Sequence, residues 1–218
     1  MRSFVQPKVL RRAGLAAIVG TVACIPRLNY WPDRPDAVWF LAGLLAWCLF
    51  VMWGFVFGWE EKYGQAKPLV FKADPKAWGA IVLGGILAAI LAARFTDPVF
   101  REIAPEEYPG SIKQWLAFVA FYLSLELIFV CFAPLAFFAR LAENAQLAAG
   151  LTIGLGLAVM FLKLGTLPES PHLGVLIWLA VFRIAYSGAC ISLYRWGGIL
   201  PVYTLGLIVQ ARLLVGLG

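Results

Sequence analysis

Glu126 stands near the middle of an apolar run of about 25 residues, where an ionised carboxylate has no bulk water and needs a partner or a wet cavity. Arg183 is in the same position in a later run. A helix rises about 1.5 Å per residue, so each charge lies roughly 15 Å from either end of its span, too deep to snorkel. An unpaired charge at that depth costs about 2.5 to 3.5 kcal/mol on insertion scales. Their similar depth predicts that Glu126 pairs with Arg183 inside the protein. Lys163 and Arg212 lie closer to the ends of their runs, where long side chains can reach the interface, and Gln210 adds an amide near Arg212. Glu126, Arg183, Lys163, Gln210 and Arg212 are therefore the candidate intramembrane polar site. It has two readings, structural glue or a polar cavity for a ligand, a transmembrane segment or a proton.

Other chemistries find little to work with. His172 is the single histidine and follows Pro168-Glu169-Ser170-Pro171 at a loop–helix junction, so a surface or capping role is expected rather than a metal site. Cys24, Cys48, Cys131 and Cys190 fall on four separate apolar segments without CxxC spacing, as buried thiols do, and indicate neither zinc nor a disulfide framework. No GxSxG, HExxH or GxxxxGK[ST] motif occurs, and carboxylates at relay spacing are missing. Serine hydrolysis, zinc proteolysis and nucleotide-driven transport are not indicated, and no cofactor is expected.

The elements that must position these residues are membrane helices. Of 218 residues, 62% are hydrophobic and 14% charged, and mean hydropathy is +0.83, far from a soluble domain's roughly half-apolar, quarter-charged average. Runs near twenty residues long give seven candidate spans at 13–25, 37–59, 78–95, 115–139, 145–165, 173–196 and 198–217. The expected fold is thus all-α, a single polytopic bundle of about seven transmembrane helices over 1–218, with the lipid bilayer as its partner. The first run is short, follows Arg2, Lys8, Arg11 and Arg12, and reads as a retained signal-anchor helix rather than a cleaved signal.

Net charge is +6, but the basic residues sit in short loops and make no continuous face, so nucleic acid is not expected as a partner. The N-terminus and the 60–77 loop, with Lys62, Lys67, Lys72 and Lys76, fall on one side together with Arg140 and Arg195; loops 26–36, 96–114 and 166–172 are neutral or acidic. The positive-inside rule then places the N-terminus in the cytoplasm, and a bacterial cytoplasmic membrane is the expected location. The stretch from Pro26 to Asp36 reads as a turn, and Asp97-Pro98 and Pro109-Gly110 bracket an outer loop that can hold a short interfacial helix. Gly150, Gly154 and Gly156 make a small-residue face on which a neighbouring helix can pack.

Three segments carry a family resemblance. Leu125-Glu126-Leu127-Ile128-Phe129-Val130-Cys131 resembles the Glu-Glu-x-x-x-Arg signature of the CPBP family, the CAAX-protease and bacteriocin-processing intramembrane proteases, with Glu126 at the second glutamate and Phe129 at the aromatic position. Leu193-Tyr194-Arg195-Trp196-Gly197-Gly198-Ile199-Leu200 resembles the family's Tyr-Arg-x-x-Gly-Ser-Leu turn, and Ala158-Val159-Met160-Phe161 the start of its Phe-x-x-x-His helix. The resemblance covers about 110–218 and implies the family fold there. It also implies where catalytic groups belong, and here Leu125 replaces the first glutamate, Val130 the arginine, Gly165 and Leu207 the two histidines and Ala211 the asparagine. Water attack on a peptide needs a base and oxyanion donors. The expected function is therefore a non-catalytic relative that binds a transmembrane segment, a lipid-like group or a partner subunit. The alternatives are a divergent protease relying on Glu126 and an accessory subunit or assembly factor of a larger membrane complex.

Overall fold

The computed structural model describes residues 6–30, 37–63, 68–70, 72, 74–167 and 171–217, and among them there are helices and no strands. The membrane-length helices are α1 (Pro7–Leu28), α2 (Ala37–Tyr63) and α3 (Pro75–Phe95), then, after a short α4 (Asp97–Ile103), α5 (Ile112–Ala142), α6 (Ala145–Leu164) and α7 (Leu173–Gly197). These six are long and apolar enough to cross a bilayer. The chain ends in α8 (Ile199–Ala211), which continues as a 3-10 turn over Arg212–Gly216.

The seventh expected span is thus shorter than the other six. Its ends show what it does: the Ile199 amide donates to the Pro68 carbonyl (2.9 Å), below the start of α3, and Arg212 reaches Asp97 just beyond the end of α3. An α-helical part of about 20 Å and a 3-10 part of about 10 Å cover the same height as α3. This is a multi-pass membrane protein in which many large apolar side chains point outward. Trp39, Phe40, Leu83, Leu162 and Leu173 are each at least 70% exposed, an arrangement suited to lipid and not to water.

Local chemistry sets the helix ends. Asp74 accepts from the Lys76 and Ala77 amides ahead of Pro75 at the first helical position of α3. Ser111 accepts from the Gln114 amide while the Gln114 side chain accepts from the Gly110 amide, a reciprocal cap that starts α5. Asn144 caps α6 through the Gln146 and Leu147 amides, directly after Glu143 turns the chain with φ 52°. Gly198 adopts φ 76°, which a side chain would strain, and sends α8 back along α3.

Two sequence readings need correction. The stretch from Pro26 is not a turn at its start: α1 runs through Pro26 to Leu28, and only 31–36 fall outside the described residues. Gly150 and Gly154 face outward with open space around them, and only Gly156 is buried, so the packing face reduces to that residue. The outer loop does hold short helices, α4 and a 3-10 turn over Pro105–Glu107. His172 is exposed at the N-cap of α7 without a capping side-chain bond.

The core forms around α5, where Leu127, Ile128, Phe132 and Leu135 are almost fully buried against Tyr194 of α7 and Val202 of α8. Phe132 lies 4.8 Å from the Tyr194 ring, centroid to centroid. The middle of α5 is wound as two π-helical turns, Tyr122–Glu126 and Ile128–Phe132. Pro134 follows them; it supplies no N–H to the ladder and its ring crowds the carbonyl four residues back. Wider i→i+5 turns before it relieve that crowding, and such turns recur at functional sites.

Candidate functional site

Two charged clusters mark opposite ends of the bundle. At one end Arg12 of α1 pairs with Glu60 of α2 (2.9 Å), and Lys72 lies over the Trp196 ring at 5.5 Å. At the other, here called the outer end, Tyr108 and Arg212 converge on Asp97. Its Oδ2 accepts from Arg212 Nε at 3.1 Å, its Oδ1 accepts from the Tyr108 hydroxyl at 3.1 Å, and Arg212 Nη1 donates to the Val209 carbonyl at 2.8 Å. Burial, and after it the Asp97 carboxylate, push the Tyr108 phenol well above its ordinary value. Trp115 Nε1 donates to the Gln210 carbonyl (3.0 Å) and Trp178 Nε1 to Thr96 Oγ1 (3.2 Å), so α5 and α7 are tied to the same clasp.

Beneath the clasp lies a cavity of about 920 Å³. All five residues of the sequence-predicted site line it: Glu126 from α5, Lys163 from α6, Arg183 from α7, and Gln210 and Arg212 from the end of the chain. A smaller lobe of about 470 Å³ shares Glu126, Lys163, Gln210 and Arg212 and adds Arg27, Glu107 and Tyr108. Glu126 is exposed by accessible area, and since it lines both lobes the surface it exposes is cavity surface. The rest of the wall is mostly apolar, with Leu44, Trp47, Val51, Phe129, Val159 and Met160 among the lining residues. That is the make-up of a ligand pocket, apolar walls with a few convergent polar groups.

Two of the helices that line the cavity leave a gap between them. Helices α2 and α6 both pack on the second half of α5 without substantial contact between them, and Leu44, Trp47 and Phe129 at the gap are 52, 65 and 47% exposed. A gap between two membrane helices opens toward lipid.

The predicted Glu126–Arg183 ion pair is not formed: both groups reach the cavity, but no N···O approach of 4.0 Å or less links them. Arg183 leans toward α6 instead, where the missing side chain of Gly156 leaves room; a Cβ there would sit 3.5 Å from Arg183 Nε. That Nε is buried and has no hydrogen-bond partner among the described residues. Lys163 and Arg212 do not simply snorkel, since each holds a carboxylate, Glu107 at 3.0 Å and Asp97 at 3.1 Å.

Sequence reasoning missed three contributors. Arg27 lies over the Phe118 ring at 3.9 Å in the smaller lobe, and was hidden by reading Pro26 as the start of a turn. Tyr122 and Tyr186 meet hydroxyl to hydroxyl at 2.7 Å in the cavity wall, where nothing in their spacing of 64 residues announces them.

The cysteines divide in the same way: Cys24, Cys131 and Cys190 are buried as expected, whereas Cys48 is exposed and lines the cavity. A small maleimide is accordingly expected to label Cys48 alone in the folded protein, read by intact mass, and Cys48→Ser to abolish labelling; equal labelling of all four would mean that the cavity is not the accessible space. No family model, curated protein or solved structure matches the chain.

Proposed function

We propose that this protein binds an amphipathic molecule taken sideways from the bilayer, without catalysing a reaction on it. The observation that carries this reading is the cavity of about 920 Å³ with apolar walls, a lipid-facing gap and Glu126, Arg183 and Gln210 inside it. In this reading the chain is a CPBP-like protein that keeps a substrate-type cavity and lacks the chemistry. Leu125 and Val130, at the positions of the family's first glutamate and arginine, line the cavity but bring neither base nor cation to it. Gly165, Leu207 and Ala211 are absent from its lining, so no group from the remaining catalytic positions faces Glu126. The basic end, with Arg12 and Lys72, is assigned to the cytoplasm of a bacterial cell, and the acidic loop of Glu102, Glu106 and Glu107 to the outside.

The test is purification in mild detergent followed by native mass spectrometry. A stoichiometric small amphiphile that survives in the wild type and is reduced at least severalfold in Glu126→Gln supports the reading. A stoichiometric protein partner in its place would make the chain a subunit or assembly factor.

One observation favours a second reading. Among the described residues Glu126 has no neutralising partner within 4.0 Å, and it opens on a space large enough for water, as a general base requires. A divergent intramembrane protease would cleave a transmembrane reporter in proteoliposomes and lose all activity in Glu126→Gln. Absence of cleavage by the wild type across a panel of reporters removes this reading.

A further inference from the structure

The charges of the larger cavity differ in what they still have to give. Lys163 is held by Glu107, and Arg212 by Asp97. Arg27 lines only the smaller lobe and is stacked on Phe118. Two full charges remain without a partner among the described residues: the Glu126 carboxylate on α5 and the Arg183 guanidinium on α7, whose Nε is buried with no acceptor. They are opposite in sign, face one cavity, and stand more than 4.0 Å apart. A purely anionic ligand would satisfy Arg183 and leave Glu126 unpaired, and a purely cationic one would do the reverse; either leaves a costly charge behind. A ligand that carries both charges a few bonds apart satisfies both. The apolar wall from Leu44 to Met160 and the gap between α2 and α6 suit acyl chains that remain in the bilayer.

Building on the amphiphile-binding reading, we infer that the ligand is a zwitterionic aminophospholipid, its ammonium on Glu126 and its phosphate on Arg183. The Tyr122–Tyr186 pair, which keeps one hydroxyl proton beyond their mutual hydrogen bond, and the Gln210 amide stand in the same wall as further donors to the phosphate.

The experiment compares phosphatidylethanolamine with phosphatidylglycerol of identical chains, added to the delipidated protein in detergent. Native mass spectrometry counts bound lipid, and protection of Cys48 from maleimide reports whether the cavity is filled. Phosphatidylethanolamine is expected to bind and protect at about tenfold lower concentration, the scale of one charge-assisted hydrogen bond. Glu126→Gln is expected to erase that preference while both lipids still bind. Equal binding of the two lipids with Cys48 protected would overturn the zwitterion assignment and leave the amphiphile cavity standing. Protection by neither lipid would overturn the cavity reading itself. The wild-type comparison decides between these outcomes whether or not the variant folds.

Discussion

Arg212→Met is expected to lower the stability of the purified protein by about 3 to 5 kcal/mol, measured as a loss of thermal midpoint in detergent, because it leaves Asp97 buried and uncompensated. The Asp97 and Arg212 side chains are 8% and 16% exposed, and Arg212 Nε touches both carboxylate oxygens, at 3.3 and 3.1 Å. Breaking one side of such a pair costs more than removing both, so Asp97→Asn in the Arg212→Met background is expected to restore part of the loss. Lys163→Met is the contrast. That pair is 59% and 41% exposed, solvent screens it, and its removal is expected to change stability by less than about 1 kcal/mol.

Tyr108 gives the clasp a pH signature. Its phenol is raised in the folded state, chiefly by burial, so the stability it contributes is fully present below the unfolded value near 10 and is lost as pH rises toward the folded value. Tyr108→Phe is expected to flatten the part of the alkaline stability loss that belongs to this residue, at a cost of about 1 kcal/mol at neutral pH for the lost hydrogen bond to Asp97. An unchanged alkaline slope in Tyr108→Phe would remove Tyr108 from the clasp.

The spans were legible because hydropathy is read one segment at a time and owes nothing to tertiary contacts. Five of the seven predicted segments lie within the helices found; 145–165 overruns α6 by one residue, and 198–217 begins one residue before α8 and runs six past its end, through the 3-10 turn. The cavity residues were legible for a related reason, since a charge inside an apolar run must face protein or water, and four such charges, with the Gln210 amide, face one space.

Depth is not direction, however. Matching the depths of Glu126 and Arg183 located them in one layer but did not fix where each side chain points around its helix. Each i→i+5 turn adds a residue and rotates the face that follows by about 100°. Two such turns lie in α5, with Glu126 closing the first, and no spacing rule in the sequence announces them. The Asp97–Arg212 contact joins residues 115 positions apart and depends on α8 returning along α3, which only the folded chain displays. Pro26 misled for a different reason. Proline ends helices in water, where its freed carbonyl competes for solvent, but inside a membrane helix the neighbouring backbone absorbs the defect, and α1 continues to Leu28.

Phe132→Ala addresses what holds the bundle together. Phe132 is fully buried at the end of the second π-helical turn, 4.8 Å from the Tyr194 ring and 6.1 Å from Tyr203, so it joins α5 to α7 and α8 at the level of the core. In a water-soluble protein the substitution would cost about 3 to 5 kcal/mol, part of it transfer out of water and part the cavity left behind. Here the transfer part is absent, because a phenylalanine released from the core of a membrane protein meets lipid tails as apolar as the core. What remains is lost packing, about 2 kcal/mol, with a matching fall in thermal midpoint in lipid nanodiscs. Leu83→Ala, on an α3 side chain that is 70% exposed to lipid, is the control and is expected to cost close to nothing. If the two substitutions destabilise equally, close packing around α5 is not what holds these helices together, and the polar clasp at Asp97 and Arg212 must carry the larger share.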